Sequence, residues 1–333
     1  MAHSELVHGG RLRAAARRYG MTVDRWLDLS TGINPHPWPL PAIPADVWHR
    51  LPEDEDGLDS MLRESLDLDA AVGITPLPGS QAAIQQLPGM RRPCRVAVPD
   101  PGYAEHGHAW AAAGHQVSAV TPDMIDGLLP ELDVLVWIQP NNPSGEIIPP
   151  EQLLHWHRRL AERGGWLLVD EAFIDVVPEA SLQSVLGRPG LLVLRSLGKF
   201  FGLAGVRAGL LLGDATICRA VARELGPWAV SGPARYLLAR AVADHHWQDA
   251  MRQRLRAASD RLQDLLEQTL GVTTRGTDLF RYWPEPRAAE IQDALSRGAI
   301  LIRRFEAPSA LRIGLPGEET DWARLAAALQ SLR

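Results

Sequence analysis

A lysine stands between a serine and an arginine in the segment LRSLGKFFGLAGVRAG, residues 194–209, which follows an apolar run and is rich in glycine. The amine of this lysine, Lys199, could attack an aldehyde. Ser196 and Arg207 could both bind one phosphate, the arginine through two parallel hydrogen bonds and the serine as a neutral donor. The segment therefore offers either a nucleophile beside a phosphate site or an ordinary surface lysine in a turn.

Short apolar runs alternate with helical patterns in the part of the chain that contains this lysine. The runs are RVAV (95–98), VLVWI (134–138), WLLVD (166–170), LLVL (191–194) and AGLLL (208–212). Helices are predicted between them at 103–113 and 150–163, and this alternation is typical of a largely parallel sheet. Because ligands in open α/β sheets gather at the carboxyl ends of strands, we expect a site in the loops that follow these runs.

The C-terminal part of the chain predicts a second, smaller α/β domain. A long helical stretch at 234–270 leads into two short strands, 299–303 and 311–315, and a final helix. The proline-rich residues 32–44 predict an irregular arm. The predicted division is an N-terminal arm at 1–40, a large domain with a mostly parallel sheet at 41–230 and a small C-terminal domain at 231–333.

The composition is that of an ordinary globular protein of 333 residues, with 46% hydrophobic and 22% charged residues. The net charge is -6 and the arginines are scattered, so nucleic acid is not expected as a partner. A secretory signal and an apolar run of about 18 residues are both lacking, which predicts a cytoplasmic protein that does not bind membranes. Cys94 and Cys218 are far apart, so we expect neither a disulfide nor a metal site.

The lysine segment resembles the signature around the cofactor lysine of fold-type I aminotransferases, and more specifically of their histidinol-phosphate aminotransferase branch. Other motifs of this branch precede the lysine segment in the matching order along the chain: TPLPGSQAAI (75–84), DPGYAEH (100–106), QPNNPSG (139–145) and DEAF (170–173). The resemblance implies a fold-type I α/β fold, with pyridoxal 5'-phosphate (PLP) as the cofactor and Lys199 as the residue that binds it covalently.

The same resemblance implies a role around the cofactor for each motif. Asp170 would bond the pyridine nitrogen and keep it protonated, which makes the ring an electron sink. Asn142 would bond the 3'-oxygen, and Tyr103 would stack on the ring. Each of these residues could instead be an ordinary cap, turn or core residue. The cofactor phosphate would be held at a helix N-terminus and by the lysine loop, that is by Gly79, Ser80, Gln81, Ser196 and Arg207.

Two motifs near the N-terminus narrow the resemblance further. HGGR at 8–11 and DLSTGINPHP at 28–37 are similar to the opening of the cobalamin-biosynthetic threonine-phosphate decarboxylases. In that family the histidine of HGG and the asparagine of INP lie near the substrate, which implies His8 and Asn34 here. Asn142 is implied on the substrate side as well.

The C-terminal motifs and DEAF support the same family. Arg312 in LRIGL matches the arginine that binds the substrate carboxylate, and Arg303 in LIRR matches the one that binds the substrate phosphate. Arg304 is the alternative to Arg303, and the arginines could instead form a solvated face. Phe173 resembles the decarboxylases, because typical aminotransferases have there a tyrosine that bonds the 3'-oxygen; it could also be a neutral core substitution.

These resemblances imply decarboxylation of L-threonine O-3-phosphate to 1-aminopropan-2-ol O-2-phosphate, with Lys199 as the proton donor to Cα. The alternative is an aminotransferase that acts on histidinol phosphate or a related phosphorylated amine. A silent ligand-sensing domain is disfavoured, because only about 30 residues precede the first motif and a DNA-binding module needs more. A homodimer is also implied, although Leu51 stands where related enzymes have a tyrosine that reaches the partner's cofactor phosphate.

Overall fold

The computed structural model describes residues 8–332. They divide into two compact units, which we call the terminal unit and the central unit. The domain boundaries predicted from the sequence stay a prediction. The terminal unit contains the chain up to His36, Pro143–Gly145 and the chain from Ala250 onward, and the central unit contains Pro37–Asn142 and Glu146–Asp249.

The helices and strands of the described residues alternate along most of the chain. The strands are β1 (Leu27–Asp28), β2 (Val72–Leu77), β3 (Arg95–Pro99), β4 (Gln116–Val120), β5 (Val134–Ile138), β6 (Trp166–Asp170), β7 (Leu191–Ser196), β8 (Gly209–Asp214), β9 (Arg275–Thr277), β10 (Phe280–Pro284), β11 (Ile300–Leu301), β12 (Arg303–Glu306) and β13 (Ser309–Gly314). The helices are α1 (Leu12–Tyr19), α2 (Ala45–His49), α3 (Leu58–Ser65), α4 (Gln81–Gln86), α5 (Ala104–Ala112), α6 (Pro122–Leu128), α7 (Pro150–Ala161), α8 (Ala215–Leu225), α9 (Gly232–Ala243), α10 (His245–Leu270), α11 (Ala288–Arg297) and α12 (Glu319–Gln330).

The central unit is built on a seven-stranded sheet in the order β2-β8-β7-β6-β5-β3-β4. Strands β4, β3, β5, β6 and β7 are parallel, which confirms the predicted fold class. Strand β8 is antiparallel to both of its neighbours, because no crossover helix separates it from β7. Because β2 and β7 are both antiparallel to β8, they run in the same direction as each other. The carboxyl ends of β2, β3, β5, β6 and β7 therefore lie at one edge of the sheet.

The helices of the central unit cover the buried strands with narrow apolar faces. All five residues of β5 are buried, as expected for a strand in the middle of a parallel sheet. Helix α7 begins with a proline in its first turn and buries Leu153, Trp156, His157 and Leu160, a spacing that puts all four on one helix face. The sequence predicted this helix at 150–163, and the structure confirms it.

The helix predicted at 234–270 is two helices, α9 and α10, because the chain breaks at Asp244. The Asp244 carboxylate accepts a hydrogen bond from the backbone N–H of Trp247 at 3.1 Å, as an N-cap residue does. It also accepts one from the indole N–H of Trp38 at 2.9 Å. The long-range bond to Trp38 is a tertiary contact that helical periodicity does not reveal.

The terminal unit contains an antiparallel sheet in the order β12-β13-β10-β9 and a separate parallel pair, β1 and β11. The strand predicted at 299–303 is two short strands that part at Ile302, because Ile300–Leu301 pairs with β1 and Arg303–Glu306 pairs with β13. Among residues 8–332, no helix combines the length and the apolar character that crossing a membrane requires.

A buried network of charged groups joins the chain just after β6 to the end of β7. The Glu171 carboxylate accepts hydrogen bonds from the N–H of Leu182 at 2.8 Å and the hydroxyl of Ser181 at 2.7 Å. Arg195 lies 3.5 Å from Glu171 and 2.5 Å from Asp175. Burial raises the pKa of Glu171, and the Arg195 guanidinium opposes that rise. The network therefore depends on Arg195 to keep two buried carboxylates compensated.

We predict that Arg195→Ala lowers the free energy of unfolding by about 3–5 kcal/mol, because it leaves Glu171 and Asp175 without their cation. Urea denaturation measures this change. Arg95→Ala is the control, because Arg95 pairs with Glu131 on the surface, where the loss should be about 0–1 kcal/mol. Equal losses in the two variants would contradict a structural role for the buried network.

Candidate active site

The loop between β7 and β8 holds Lys199 half-buried, with its Nζ 5.5 Å from the centroid of the Phe173 ring. The two residues after the lysine anchor the loop. Phe200 and Phe201 are buried, and the ring of Phe201 stacks on Trp247 with a centroid distance of 5.7 Å and an angle of 15°. The lysine therefore extends from a loop whose next residues belong to the core, which limits where its amine can go.

Asp170 is the last residue of β6 and is buried. Its Oδ1 accepts a hydrogen bond from the N–H of Ala172 at 3.1 Å, and its Oδ2 lies 2.9 Å from Nε2 of His106. Because a carboxylate only accepts hydrogen bonds, Nε2 of the histidine must carry the proton that joins them. The carboxylate is thereby fixed in orientation in a site away from water.

His106 is a candidate site residue that the sequence alone did not reveal. It lies in the first turn of α5 and is 1% exposed. Its spacing from Tyr103, three residues earlier, puts the two side chains on one side of the helix start, and their rings meet edge to face at 6.1 Å. This spacing was the available signal, but only the fold brings the β6 end to the histidine.

The β2–α4 turn and the start of β8 form a corner around the Arg207 guanidinium. Gly79 has a φ of +82°, and a Cβ there would lie 2.5 Å from Nη2 of Arg207, so only glycine lets the guanidinium come this close. Gly209 is needed for a similar reason, because a Cβ there would lie 2.9 Å from the backbone N of Ser80. Helix α4 begins at Gln81, as predicted. The corner combines backbone N–H groups and a cation, which suits an anion.

Tyr103 lies near both the Asp170 carboxylate and the Arg207 corner. Its hydroxyl donates to Oε1 of Gln81 at 3.3 Å. Burial, and secondarily the carboxylates of Glu105 and Asp170, raises the pKa of Tyr103 to about 12, and the Arg207 cation opposes this rise. The phenol therefore stays protonated at neutral pH and remains a hydrogen-bond donor.

Three other predicted residues of the central unit lie on the same sheet edge. Ser196 ends β7, and its Oγ accepts a hydrogen bond from the N–H of Gly198 at 3.2 Å. Asn142 follows β5 in a half-buried turn, and Phe173 is buried three residues after β6. The structure thus places every predicted cofactor-binding residue near this edge, at the end of a strand, in a loop or at the start of α4.

The predicted substrate-binding arginines lie in the terminal unit. Arg303 and Arg312 are directly opposite each other on β12 and β13, so their side chains share a face of the sheet. Arg304 belongs to the other face, where it lies 2.8 Å from Glu306. Arg312 is buried, and its Nη2 donates to the carbonyl oxygen of Ser30 at 2.7 Å. Burial, and secondarily the Arg303 cation, lowers the pKa of Arg312 well below its ordinary value.

The other two predicted substrate residues also lie in this unit. Asn34 is buried, and its Oδ1 accepts a hydrogen bond from the N–H of His36 at 2.8 Å. His8 is exposed and is the first residue that the structure describes.

Comparison with known proteins identifies the class of protein. The family described as aminotransferase class I and II matches residues 48–329. This match spans well over half of the sequence, so the chain belongs to the class I and II aminotransferase family. The fold agrees, because the chain superposes on histidinol-phosphate aminotransferase from Sinorhizobium meliloti, solved in complex with pyridoxal-5'-phosphate, with a TM-score of 0.84 and 19% identity, covering 99% of this chain and 95% of that one.

Individual relatives point to one branch of the family. The chain is 52% identical over 324 residues to threonine-phosphate decarboxylase from Pseudomonas aeruginosa, covering 97% of each protein. It is 40% identical over 339 residues to the protein of the same name from a Sinorhizobium species, again covering 97% of each. The resemblance to the decarboxylases found in the sequence motifs is therefore confirmed over nearly the whole chain.

We predict that His106→Ala lowers the free energy of unfolding by about 1.5–3 kcal/mol, because the buried, charged carboxylate of Asp170 loses a hydrogen bond. Urea denaturation of the single variants Asp170→Ala and His106→Ala and of the double variant forms a cycle. The second substitution should cost clearly less in the double variant. Fully additive losses would mean that the two side chains do not interact in solution.

Proposed function

We propose that this protein is a PLP-dependent decarboxylase that converts L-threonine O-3-phosphate to 1-aminopropan-2-ol O-2-phosphate and carbon dioxide in cobalamin biosynthesis. The observation that carries the proposal is the 52% identity, over 97% of both proteins, to a threonine-phosphate decarboxylase. The central unit supports it, because its site suits a phosphorylated, nitrogen-containing aldehyde.

The residues at the edge of the central sheet fit this cofactor. Gly79 lets the Arg207 guanidinium approach the β2–α4 turn, a combination of cation and backbone N–H groups that suits a phosphate, and the buried carboxylate of Asp170 suits a protonated ring nitrogen. Lys199 would hold the cofactor covalently. When the cofactor is bound, its protonated ring accepts the electron pair that remains at Cα after a bond to Cα breaks. The remaining contacts would come from Gly79, Ser80, Gln81, Tyr103, Asn142, Phe173, Ser196 and Arg207.

Asp170 and Lys199 carry the proton chemistry in this proposal. The carboxylate of Asp170, oriented by His106, holds a proton on the ring nitrogen. The amine of Lys199 delivers a proton to Cα after carbon dioxide has left. Phe173 has no group that could bond the cofactor's 3'-oxygen, unlike the tyrosine of typical aminotransferases. Nζ of Lys199 lies 5.5 Å from the centroid of this apolar ring.

The arginine pair of the terminal unit suits the two anionic groups of threonine phosphate. Arg312 would bind the carboxylate and Arg303 the phosphate, with His8 and Asn34 as further substrate contacts of this unit. Two guanidinium groups on one sheet face repel each other, and an anion bound there relieves that repulsion. The pairing of Arg304 with Glu306 on the opposite face supports Arg303 as the phosphate ligand.

We predict that the purified protein, loaded with PLP, releases one carbon dioxide per amine formed from threonine phosphate and does not need 2-oxoglutarate. Lys199→Ala should reduce this turnover by at least 10²-fold, because it removes the proton donor. Carbon dioxide capture and amine quantification measure the reaction. Consumption of 2-oxoglutarate with histidinol phosphate, and no carbon dioxide from threonine phosphate, would favour the aminotransferase alternative and sink the proposal.

We also propose that the protein is a homodimer that forms through apolar side chains of the central unit. Trp48 and Leu51, on α2 and just after it, are 61% and 63% exposed. Leu51 and Met61 line one groove beside α9. Contiguous exposed apolar surface marks protein interaction sites. The cytoplasmic location predicted from the sequence stays a prediction.

We predict that the double variant Trp48→Asp/Leu51→Asp sediments mainly as a monomer, because two charges would have to be buried at the interface. Sedimentation velocity measures the change. The control is Met124→Asp. Met124 is an exposed residue on α6, the helix that follows the edge strand β4. A dimer that survives the double variant unchanged would place the interface elsewhere.

A further inference from the structure

The segment DLS, residues 28–30, is fixed on both sides within the terminal unit. Asp28 pairs with Leu301 in the β1–β11 ladder, and the N–H of Leu29 donates to the carbonyl of Leu301 at 2.8 Å. On the other side, the N–H of Gly314 donates to the carbonyl of Leu29 at 2.7 Å. Ser30 follows directly and is only 2% exposed. Its position is therefore set by two strands, β11 and β13.

The Asp28 carboxylate fixes the orientation of Ser30. Its Oδ1 accepts hydrogen bonds from the backbone N–H of Ser30 at 2.9 Å and from its hydroxyl at 2.6 Å. This is the local turn that aspartate forms with the residue two positions later. Because the hydroxyl proton points to Asp28, Oγ presents lone pairs to other groups. One of them accepts the backbone N–H of Gly10 at 2.8 Å.

The carbonyl of Ser30 holds the buried arginine. It accepts Nη2 of Arg312 at 2.7 Å. The same carbonyl lies under Gly9, where a Cβ would be only 2.3 Å from the oxygen. The glycines of HGG are thus explained by geometry, since Gly9 allows this close approach and Gly10 has a φ of +75°.

We propose that Ser30 is a positioning residue for substrate binding. Its carbonyl orients the Arg312 guanidinium, and its hydroxyl holds the HGG segment at Gly10. Asp28 fixes both groups by closing the turn with Ser30. This inference rests on the proposed function, because it assumes that Arg312 binds the substrate carboxylate. Removal of Oγ frees Gly10 and loosens the turn, so the carbonyl that orients Arg312 loses its fixed direction. Binding of the substrate then weakens, whereas proton delivery by Lys199 does not depend on Ser30.

Steady-state kinetics of the holoenzyme with threonine phosphate test the proposal. Ser30→Ala should raise KM about tenfold and leave kcat within about twofold, the pattern expected when only binding is lost. Asp28→Asn keeps an acceptor oxygen and should stay near wild type, whereas Asp28→Ala should match Ser30→Ala. The matched control is Ser259→Ala, a buried serine of the same unit whose hydroxyl bonds the carbonyl of Thr277 at 3.2 Å. An unchanged KM in Ser30→Ala overturns the proposal.

A double variant separates positioning from general loosening of the unit. In an Arg312→Ala background, Ser30→Ala should change KM by less than about twofold, because the group that it orients is gone. A further tenfold rise in that background overturns the role assigned through Arg312.

Hydrogen exchange distinguishes failure of this proposal from failure of the proposed reaction, because it needs no substrate. Peptides that contain Gly10 should exchange faster in Ser30→Ala than in the wild type and be unchanged in Ser259→Ala. If the wild type does not decarboxylate threonine phosphate, the proposed function fails. The exchange data still test the contact between Ser30 and the HGG segment in that case. Unchanged exchange around Gly10 in Ser30→Ala overturns that link.

Discussion

The direction of the strands in the central sheet is the constraint on which the candidate site depends. Hydrogen bonds between parallel strands bring the carboxyl ends of β3, β5, β6 and β7 to one edge, and the reversal at β8 adds the end of β2. Five loops that are far apart in sequence therefore meet. The hairpin-like return from β7 to β8 also places Lys199 and Arg207 on a single loop at that edge.

Buried polar groups hold this edge in shape. Asp170 would be an uncompensated carboxylate without His106, and Glu171 would be one without Arg195, since burial penalises a lone charge. The two carboxylates are neighbours in sequence, yet they serve different ends. Asp170 faces the candidate cofactor site, and Glu171 fixes the chain that follows β6 to β7.

In the terminal unit the buried charge is a cation instead of a carboxylate. Arg312 is buried near a second cation, Arg303, and the carbonyl of Ser30 gives it a defined orientation. A backbone carbonyl supplies a partial negative charge without neutralising the guanidinium. Asp28 accepts hydrogen bonds from the N–H and the hydroxyl of Ser30, so an aspartate and a serine at this spacing stand beside Arg312, the proposed carboxylate ligand.

The sequence by itself determined five of the seven strands of the central sheet (β3, β5, β6, β7 and β8), the helices α5 and α7, and the loop that carries Lys199. These follow from apolar runs, helical spacing and local motifs, which act over a few residues. Only the tertiary structure decided that His106 meets Asp170, that Arg303 rather than Arg304 shares a face with Arg312, and that the long helix breaks at Asp244. Each of these depends on strand register or on a partner distant in sequence, and periodicity within a segment carries no information about either.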